Sequence, residues 1–219
     1  MKLKMILISI EGVVGAGKTV VLGRLHSFYP CIYEPVWKYS EFGKFNPLEL
    51  SYTKPEQNAA ISQHHIIVES CKYYKQQIDL KKNSESIVFM ERSILSPEPF
   101  IFTGVKRGIF SDFVAEYLLK ELKIHRSSIP KPDLIIWLEC PLEECDKRIT
   151  RRARTGEKRC TIDFNKNLVQ AYNESILGSG EFPILKVSSG PDLTPRQVAN
   201  KIEMSVHNYF KGGKIVAGV

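Results

Sequence analysis

The chain has 219 residues, of which 43% are hydrophobic, enough for one substantial core and without a low-complexity linker that would split it. Its formal charge of +7 fits an anionic ligand. The densest basic cluster, Arg148 to Arg159, is short enough for a nucleotide alone to use, so the composition does not call for nucleic acid.

The N-terminal MKLKMILISI imitates a secretion signal, but its apolar run is short and no small-residue cleavage site follows, so it reads as a buried strand. No later segment approaches a membrane span. Cys31, Cys71, Cys140, Cys145 and Cys160 are odd in number and lack C-x-x-C spacing, which reads as reduced thiols in a cytoplasmic protein rather than disulfides or a cysteine zinc site.

The apolar run Ile6 to Ile10 leads directly into Gly12-Val13-Val14-Gly15-Ala16-Gly17-Lys18-Thr19, a G-x-x-x-x-G-K-T phosphate-binding loop between a strand and a helix. Gly12, Gly15, Ala16 and Gly17 let backbone N–H groups converge on anionic oxygens at a helix N-terminus. Lys18 adds a point charge for the outer phosphates, and the Thr19 hydroxyl stands where Mg²⁺ would be held. ATP with Mg²⁺ is therefore the expected ligand.

A helix over 19–28 follows, then a weak strand near 31–33 that ends at Glu34-Pro35-Val36. Glu34 is a candidate to accept a proton from a hydroxyl. A long helical pattern covers 55–80, and the strand at 86–90 ends in Glu91-Arg92-Ser93. A Glu-Arg pair at a strand end is ordinary by itself. Beside a phosphate loop, Glu91 becomes a metal-holding carboxylate and Arg92 a group that neutralises transferring charge.

Helices are expected over 111–124, 142–152, 162–177 and 194–210, with strands at 133–138 and 183–187. Arg148 and Arg152 are one helical step apart on a common face, close to Arg151, and Arg154 opens a glycine-containing segment. These residues look like an arginine-rich lid, about 152–161, over a nucleoside triphosphate. His64, His65 and His125 show no spacing that marks them as ligands, and Tyr73-Tyr74 reads as packing surface. Strands alternating with helices predict an α/β fold: a three-layer P-loop NTPase-type parallel five-stranded sheet flanked by helices, as a single domain over 1–219. Its ligands would sit beyond the carboxyl ends of the strands, where every motif above falls.

Together the residues resemble the deoxynucleoside kinase family, which includes deoxycytidine, deoxyguanosine and mitochondrial-type thymidine kinases. The resemblance rests on E-G-x-x-G-x-G-K-T at Glu11 to Thr19, E-P-V at Glu34 to Val36, L-E-L-x-Y at Leu48 to Tyr52, Gln63, E-R-S at Glu91 to Ser93, and R-I-x-x-R-x-R-x-x-E from Arg148 to Glu157. It implies that Glu34 takes the 5′-hydroxyl proton of a deoxynucleoside and that Arg92 contacts that hydroxyl and steadies Glu34. It further implies that Thr19 and Glu91 serve Mg²⁺, and that Lys18, Arg148, Arg152 and Arg154 surround the donor phosphates of ATP. Tyr52 and Glu157 would hold the sugar 3′-hydroxyl, and Gln63 would read the base, with Ile66 apolar beside it. The family also implies a homodimer formed through helices.

Several positions depart from the family pattern. Ser62 replaces a common phenylalanine and Tyr39 a common tryptophan, while Ser96-Pro97-Glu98-Pro99-Phe100 replaces a Ser-x-Arg-Tyr run, its two prolines expected to disturb a helix start. Family members that favour deoxycytidine or purines use a charge pair whose positions here are Ser70 and Pro97. Neither can supply it, which implies a pyrimidine, thymidine ahead of deoxycytidine. A thymidylate-type monophosphate kinase would need extra cations for its acceptor and no base near a free hydroxyl, so Glu34 argues against it. A guanine-nucleotide switch would carry N-K-x-D, and Asn165-Lys166-Asn167-Leu168 breaks that pattern, leaving a non-catalytic nucleotide-binding protein the weaker alternative.

Overall fold

The computed structural model describes residues 5–40, 42–81, 86–154 and 160–212. Strands and helices alternate through most of the chain. They run β1 Ile6–Glu11, α1 Lys18–Leu25, β2 Cys31–Ile32, α2 Val36–Tyr39, α3 Pro47–Thr53, α4 Pro55–Lys81, β3 Ile87–Glu91, α5 Pro97–Lys106 and α6 Asp112–Arg126. The second half continues with β4 Leu134–Glu139, α7 Leu142–Arg152, α8 Ile162–Tyr172, a π-helical turn Asn173–Leu177, β5 Ile184–Ser188 and α9 Pro195–Gly212.

The strands form one parallel sheet in the order β2-β3-β1-β4-β5, as the alternating pattern predicts. β1 is central, with Ile8 in register with Phe89 on one side and Leu134 on the other. Helices cover both faces, so the inner strands are apolar on both sides: Leu7, Ile8 and Ile10 of β1 and all of Leu134 to Leu138 are buried. The edge strand β5 is half-exposed and correspondingly less apolar. Asp133, just before β4, accepts a hydrogen bond from Leu7 N–H at 2.9 Å, tying the start of that strand to the middle of the sheet.

Short elements between the predicted ones escape the sequence pattern. α2 and α3 are one and two turns long, too brief for periodicity to register. The expectation that Pro97 and Pro99 disturb a helix start is overturned: α5 begins at Pro97. Proline lacks an N–H and fixes φ near the helical value, and the first-turn N–H groups have no intrahelical acceptor to lose. The helix expected over 162–177 is α-helical only to Tyr172 and closes as the π-helical turn.

Candidate active site

The phosphate loop is held open by contacts that point away from its mouth. Lys18 Nζ donates to the carbonyls of Gly12 (3.0 Å) and Val13 (2.9 Å). From α8 the fully buried Asn165 clamps Val14, donating to its carbonyl at 2.9 Å and accepting from its N–H at 3.2 Å. The Ala16 carbonyl accepts from Ser189 Oγ at 3.1 Å and from Arg148 Nη1 at 3.3 Å. α1 starts at Gly17 with no side-chain cap, so its first-turn N–H groups stay available to an anion. Glycine is required at residue 15, where φ is +85° and a Cβ would lie 2.5 Å from the Cys145 carbonyl oxygen.

Opposite the loop, the end of β3 presents two groups the sequence singled out. Glu91 Oε1 accepts a 2.5 Å hydrogen bond from Thr19 Oγ1, so the two candidate metal ligands already adjoin. Burial, then the nearby Glu34 carboxylate, push the Glu91 pKa up. Oxygen donors of this kind, one carboxylate and one hydroxyl beside a phosphate cradle, suit Mg²⁺, which keeps its other positions for phosphate oxygens and water.

Arg92 is buried and takes a left-handed backbone conformation, φ +61°, unusual for a side-chain-bearing residue. That turn aims its guanidinium across the cavity, where Nε donates to Glu34 Oε2 at 3.0 Å and Nη1 to Tyr172 Oη at 2.9 Å. The Phe100 ring lies against the same guanidinium, 4.8 Å from centroid to Cζ. Burial opposes the Arg92 charge, but Glu34, Tyr172, Glu11 and Glu91 together hold its pKa above the ordinary value.

Behind Arg92 stands a polar cluster that sequence reasoning did not assign. Glu11, fully buried at the end of β1, accepts from Tyr172 Oη at 2.9 Å, from Ser93 Oγ at 2.9 Å and from Ser96 Oγ at 2.8 Å. Burial pushes the Glu11 pKa up, against the lowering by Arg92 and these three hydroxyls. The signal for Glu11 was present in the sequence, a charged residue closing an apolar strand. For Tyr172 and Asn165 there was none, because their partners are far away in the chain.

Lys18, Thr19, Glu34, Glu91 and Arg92 open on one cavity of about 990 Å³, with Glu11 and Tyr172 behind its wall. Gly15, Gly17, Lys18, Thr19, Glu34, Glu91, Arg92, Arg148, Arg151, Arg152 and Arg154 line its phosphate side. Gln63, Ile66, Ser62, Ser70, Pro97 and Phe100 line the same cavity. Arg148 does two things at once, since it braces Ala16 and Ser189 while pairing with Glu144 at 2.8 Å. Ala153, with φ +49°, ends α7 between Arg152 and Arg154. Of the expected lid, 155–159, and with it Glu157, lies outside the described residues. Tyr52 belongs to α3, and its side chain is likewise outside the description.

The departures from the family pattern acquire structural reasons. Ser62 Oγ donates to the Pro47 carbonyl at 2.6 Å and so joins α4 to α3, a bond no phenylalanine could make. Glu98 pairs with Arg126 of α6 at 3.0 Å and does not line the cavity. Tyr39 is buried and lines the cavity, where burial first, then Glu34, push its pKa well up. Tyr74, read as packing surface, is buried and also donates to the Glu91 carbonyl at 3.0 Å.

The sequence profile of the deoxynucleoside kinase family matches residues 8–210. The chain belongs to that family. The kinase is 28% identical over 178 residues to a thymidine kinase of Ictalurid herpesvirus 1, covering 78% of this chain and 74% of the relative. It is 24% identical over 200 residues to a deoxyadenosine kinase of Dictyostelium discoideum, with 90% and 77% covered, and 26% identical over 206 residues to a probable thymidylate kinase of Pyrobaculum aerophilum, with 92% and 98% covered. Among solved structures, deoxyadenosine kinase from M. mycoides with dCMP and a flexible dCDP bound superimposes with a TM-score of 0.73 at 19% identity, over 93% of this chain and all of that one. The kinase thus shares the parallel five-stranded architecture of that protein. Its relatives carry names for several different acceptors. Among the described residues of the kinase no helix is long and apolar enough to cross a membrane.

Proposed function

We propose that this kinase transfers the γ-phosphoryl group of ATP to the 5′-hydroxyl of a deoxynucleoside, a pyrimidine with thymidine ahead of deoxycytidine. The observation that carries the reading is the Glu34–Arg92 pair, 3.0 Å apart in the same cavity as the phosphate loop. A carboxylate held beside a phosphate cradle can take the proton of a hydroxyl acceptor, a contribution of about 10² to 10⁴ in rate. Glu34 accepts the 5′-hydroxyl proton, and Arg92 fixes the carboxylate and neutralises charge as the hydroxyl oxygen attacks. Lys18, the α1 N–H groups, Arg148, Arg152 and Arg154 bind the donor phosphates. Thr19 and Glu91 would hold Mg²⁺, which would supply charge neutralisation for the donor phosphates. Gln63 faces the base with an amide that donates and accepts, while Tyr52 and Glu157 hold the sugar 3′-hydroxyl.

The thymidine preference is supported by the base end of the cavity. Ser70 donates to its own helix, to the Ile67 carbonyl at 3.1 Å, and Pro97 opens α5, so neither position offers the charge pair that would favour other bases. A thymidylate-type monophosphate kinase is the second reading, favoured by one observation: Arg107 lines the cavity and could meet an acceptor phosphate. Against it, Arg92 is already engaged by Glu34 and Tyr172. ADP release measured with thymidine, the other natural deoxynucleosides and thymidine monophosphate decides between them. Turnover on the nucleoside supports the proposal, and turnover confined to the monophosphate overturns it.

The same proposal includes a homodimer formed through helices. Ile61 on α4 and Phe113, Tyr117 and Ile124 on α6 are large apolar side chains left exposed on adjoining helices, which supports that face as the contact. Sedimentation velocity tests it. The five free thiols support a reducing, cytoplasmic setting.

A further inference from the structure

On the outer face of α4 and α6, away from the nucleotide cavity, three side chains with no role above converge. His64 Nε2 lies 3.3 Å from Glu121 Oε2, and His125 Nε2 lies 3.7 Å from the same oxygen. All three ligand atoms fall within 4.8 Å of one another. Glu121 and His125 share one face of α6 at i, i+4, and His64 comes from α4, which packs against it. The sequence gives these residues no ligand spacing because one of the three arrives from a helix more than fifty positions away.

We propose that His64, Glu121 and His125 form a site for a divalent transition-metal ion of the zinc type. The donor set, two imidazoles and one carboxylate, is one that zinc uses when it keeps a fourth position open. Ligand atoms bound to one tetrahedral zinc at about 2.0 to 2.2 Å stand about 3.3 to 3.6 Å from each other. The distances to Glu121 Oε2, 3.3 Å from His64 and 3.7 Å from His125, are close to that edge, and the first is at the same time a hydrogen bond in the empty site. The three side chains are 24% to 35% exposed in the single chain, so an ion can reach them before two chains associate through this face. Mg²⁺ would not compete, since it prefers oxygen donors in octahedral array. A bound ion pins α4 to α6, and α4 is the helix that carries Gln63 into the base end of the cavity.

The test uses the full chain stripped of metal with a chelator. Zn²⁺ alone is titrated by calorimetry, Co²⁺ binding is followed by visible absorption, and thermal unfolding is recorded with and without Zn²⁺. The expected result is one Zn²⁺ per chain, a tetrahedral Co²⁺ spectrum without sulfur charge-transfer bands, and a raised melting temperature. The double variant H64Q/H125Q, changed only at partly exposed positions, should lose at least about 100-fold in Zn²⁺ affinity and all of the metal-induced thermal shift. Glu121→Gln should weaken binding by about 10-fold or more. Equal Zn²⁺ binding by wild type and double variant overturns the proposal, and so does a Co²⁺ spectrum dominated by thiolate charge transfer, which would place the ion on cysteines. Kinase activity is not the readout, so the result stands apart from the proposed phosphoryl transfer.

Discussion

Arg92 Nη1 donates to Tyr172 Oη at 2.9 Å, and the same hydroxyl donates to Glu11 Oε2 at 2.9 Å. A tyrosine on α8 therefore sits between the strand-end carboxylate of β1 and the guanidinium that reaches Glu34. Its ring is packed on Trp137 with centroids 4.9 Å apart, so the oxygen has little freedom to move. The prediction is that Tyr172→Phe keeps the packing but frees Arg92. Turnover should fall about 10- to 100-fold, the scale of a small misplacement, with KM for ATP nearly unchanged. Stability should drop by about 1 to 3 kcal/mol, because two buried groups lose a partner. Steady-state kinetics and urea unfolding measure both.

Glu34→Gln preserves an acceptor oxygen for Arg92 Nε while removing the proton acceptor. Turnover with thymidine should fall by about 10² to 10⁴. Binding of an ATP analogue, measured by calorimetry, should be retained, and a variant turning over near the wild-type rate would remove Glu34 as the base.

Burial, then the Arg92 charge, lower the Lys18 pKa to about 8. Below that pH the ammonium is charged and attracts the donor phosphates. Above it the free enzyme loses that charge, so kcat/KM for ATP should decline on the alkaline side with an inflection near 8, while kcat should decline only at higher pH because bound phosphates restore the proton. The same shift has a stability consequence of opposite sense. Between about 8 and the ordinary lysine value of about 10.4 the unfolded chain binds more protons, so this group makes folding more favourable as pH rises through that window. A pH–rate profile with ATP varied tests the kinetic half.

Gly104 of α5 leaves room for Phe110, which lines the same cavity as Gln63, the proposed reader of the base. A Cβ at that position would lie 2.3 Å from Phe110 Cδ2, so Gly104→Ala must displace the ring. Overpacking of this kind costs about 1 to 3 kcal/mol. KM for the nucleoside should rise and KM for ATP should not, as a two-substrate kinetic matrix would show.

Asn165→Ala removes both hydrogen bonds to Val14 and leaves a buried carbonyl and N–H of the phosphate loop without their partner. A loss of about 1 to 3 kcal/mol in stability is expected, with KM for ATP raised and KM for the nucleoside little changed. Thermal unfolding and initial rates with ATP varied check it.

What could be read from the chain alone was what short stretches encode. The run from Ile6 to Thr19 contains strand, glycine turn and helix start in consecutive residues, so its phosphate cradle needs no distant partner to be recognised. Glu34, Glu91 and Arg92 were legible for the same reason, each following an apolar strand and so falling at the carboxyl edge of a parallel sheet. The tertiary structure alone decided how those groups are held. Tyr172 is 161 positions from Glu11, and Asn165 is 151 from Val14, so no local pattern marks either one. Buried polar groups must find partners wherever the fold brings them, and that selection acts on distance in space. The His64, Glu121 and His125 cluster follows the same rule, since two helices had to pack before three ligand atoms could meet. Pro97 shows the converse: read locally it breaks a helix, but at the first turn of α5 it has no hydrogen bond to break.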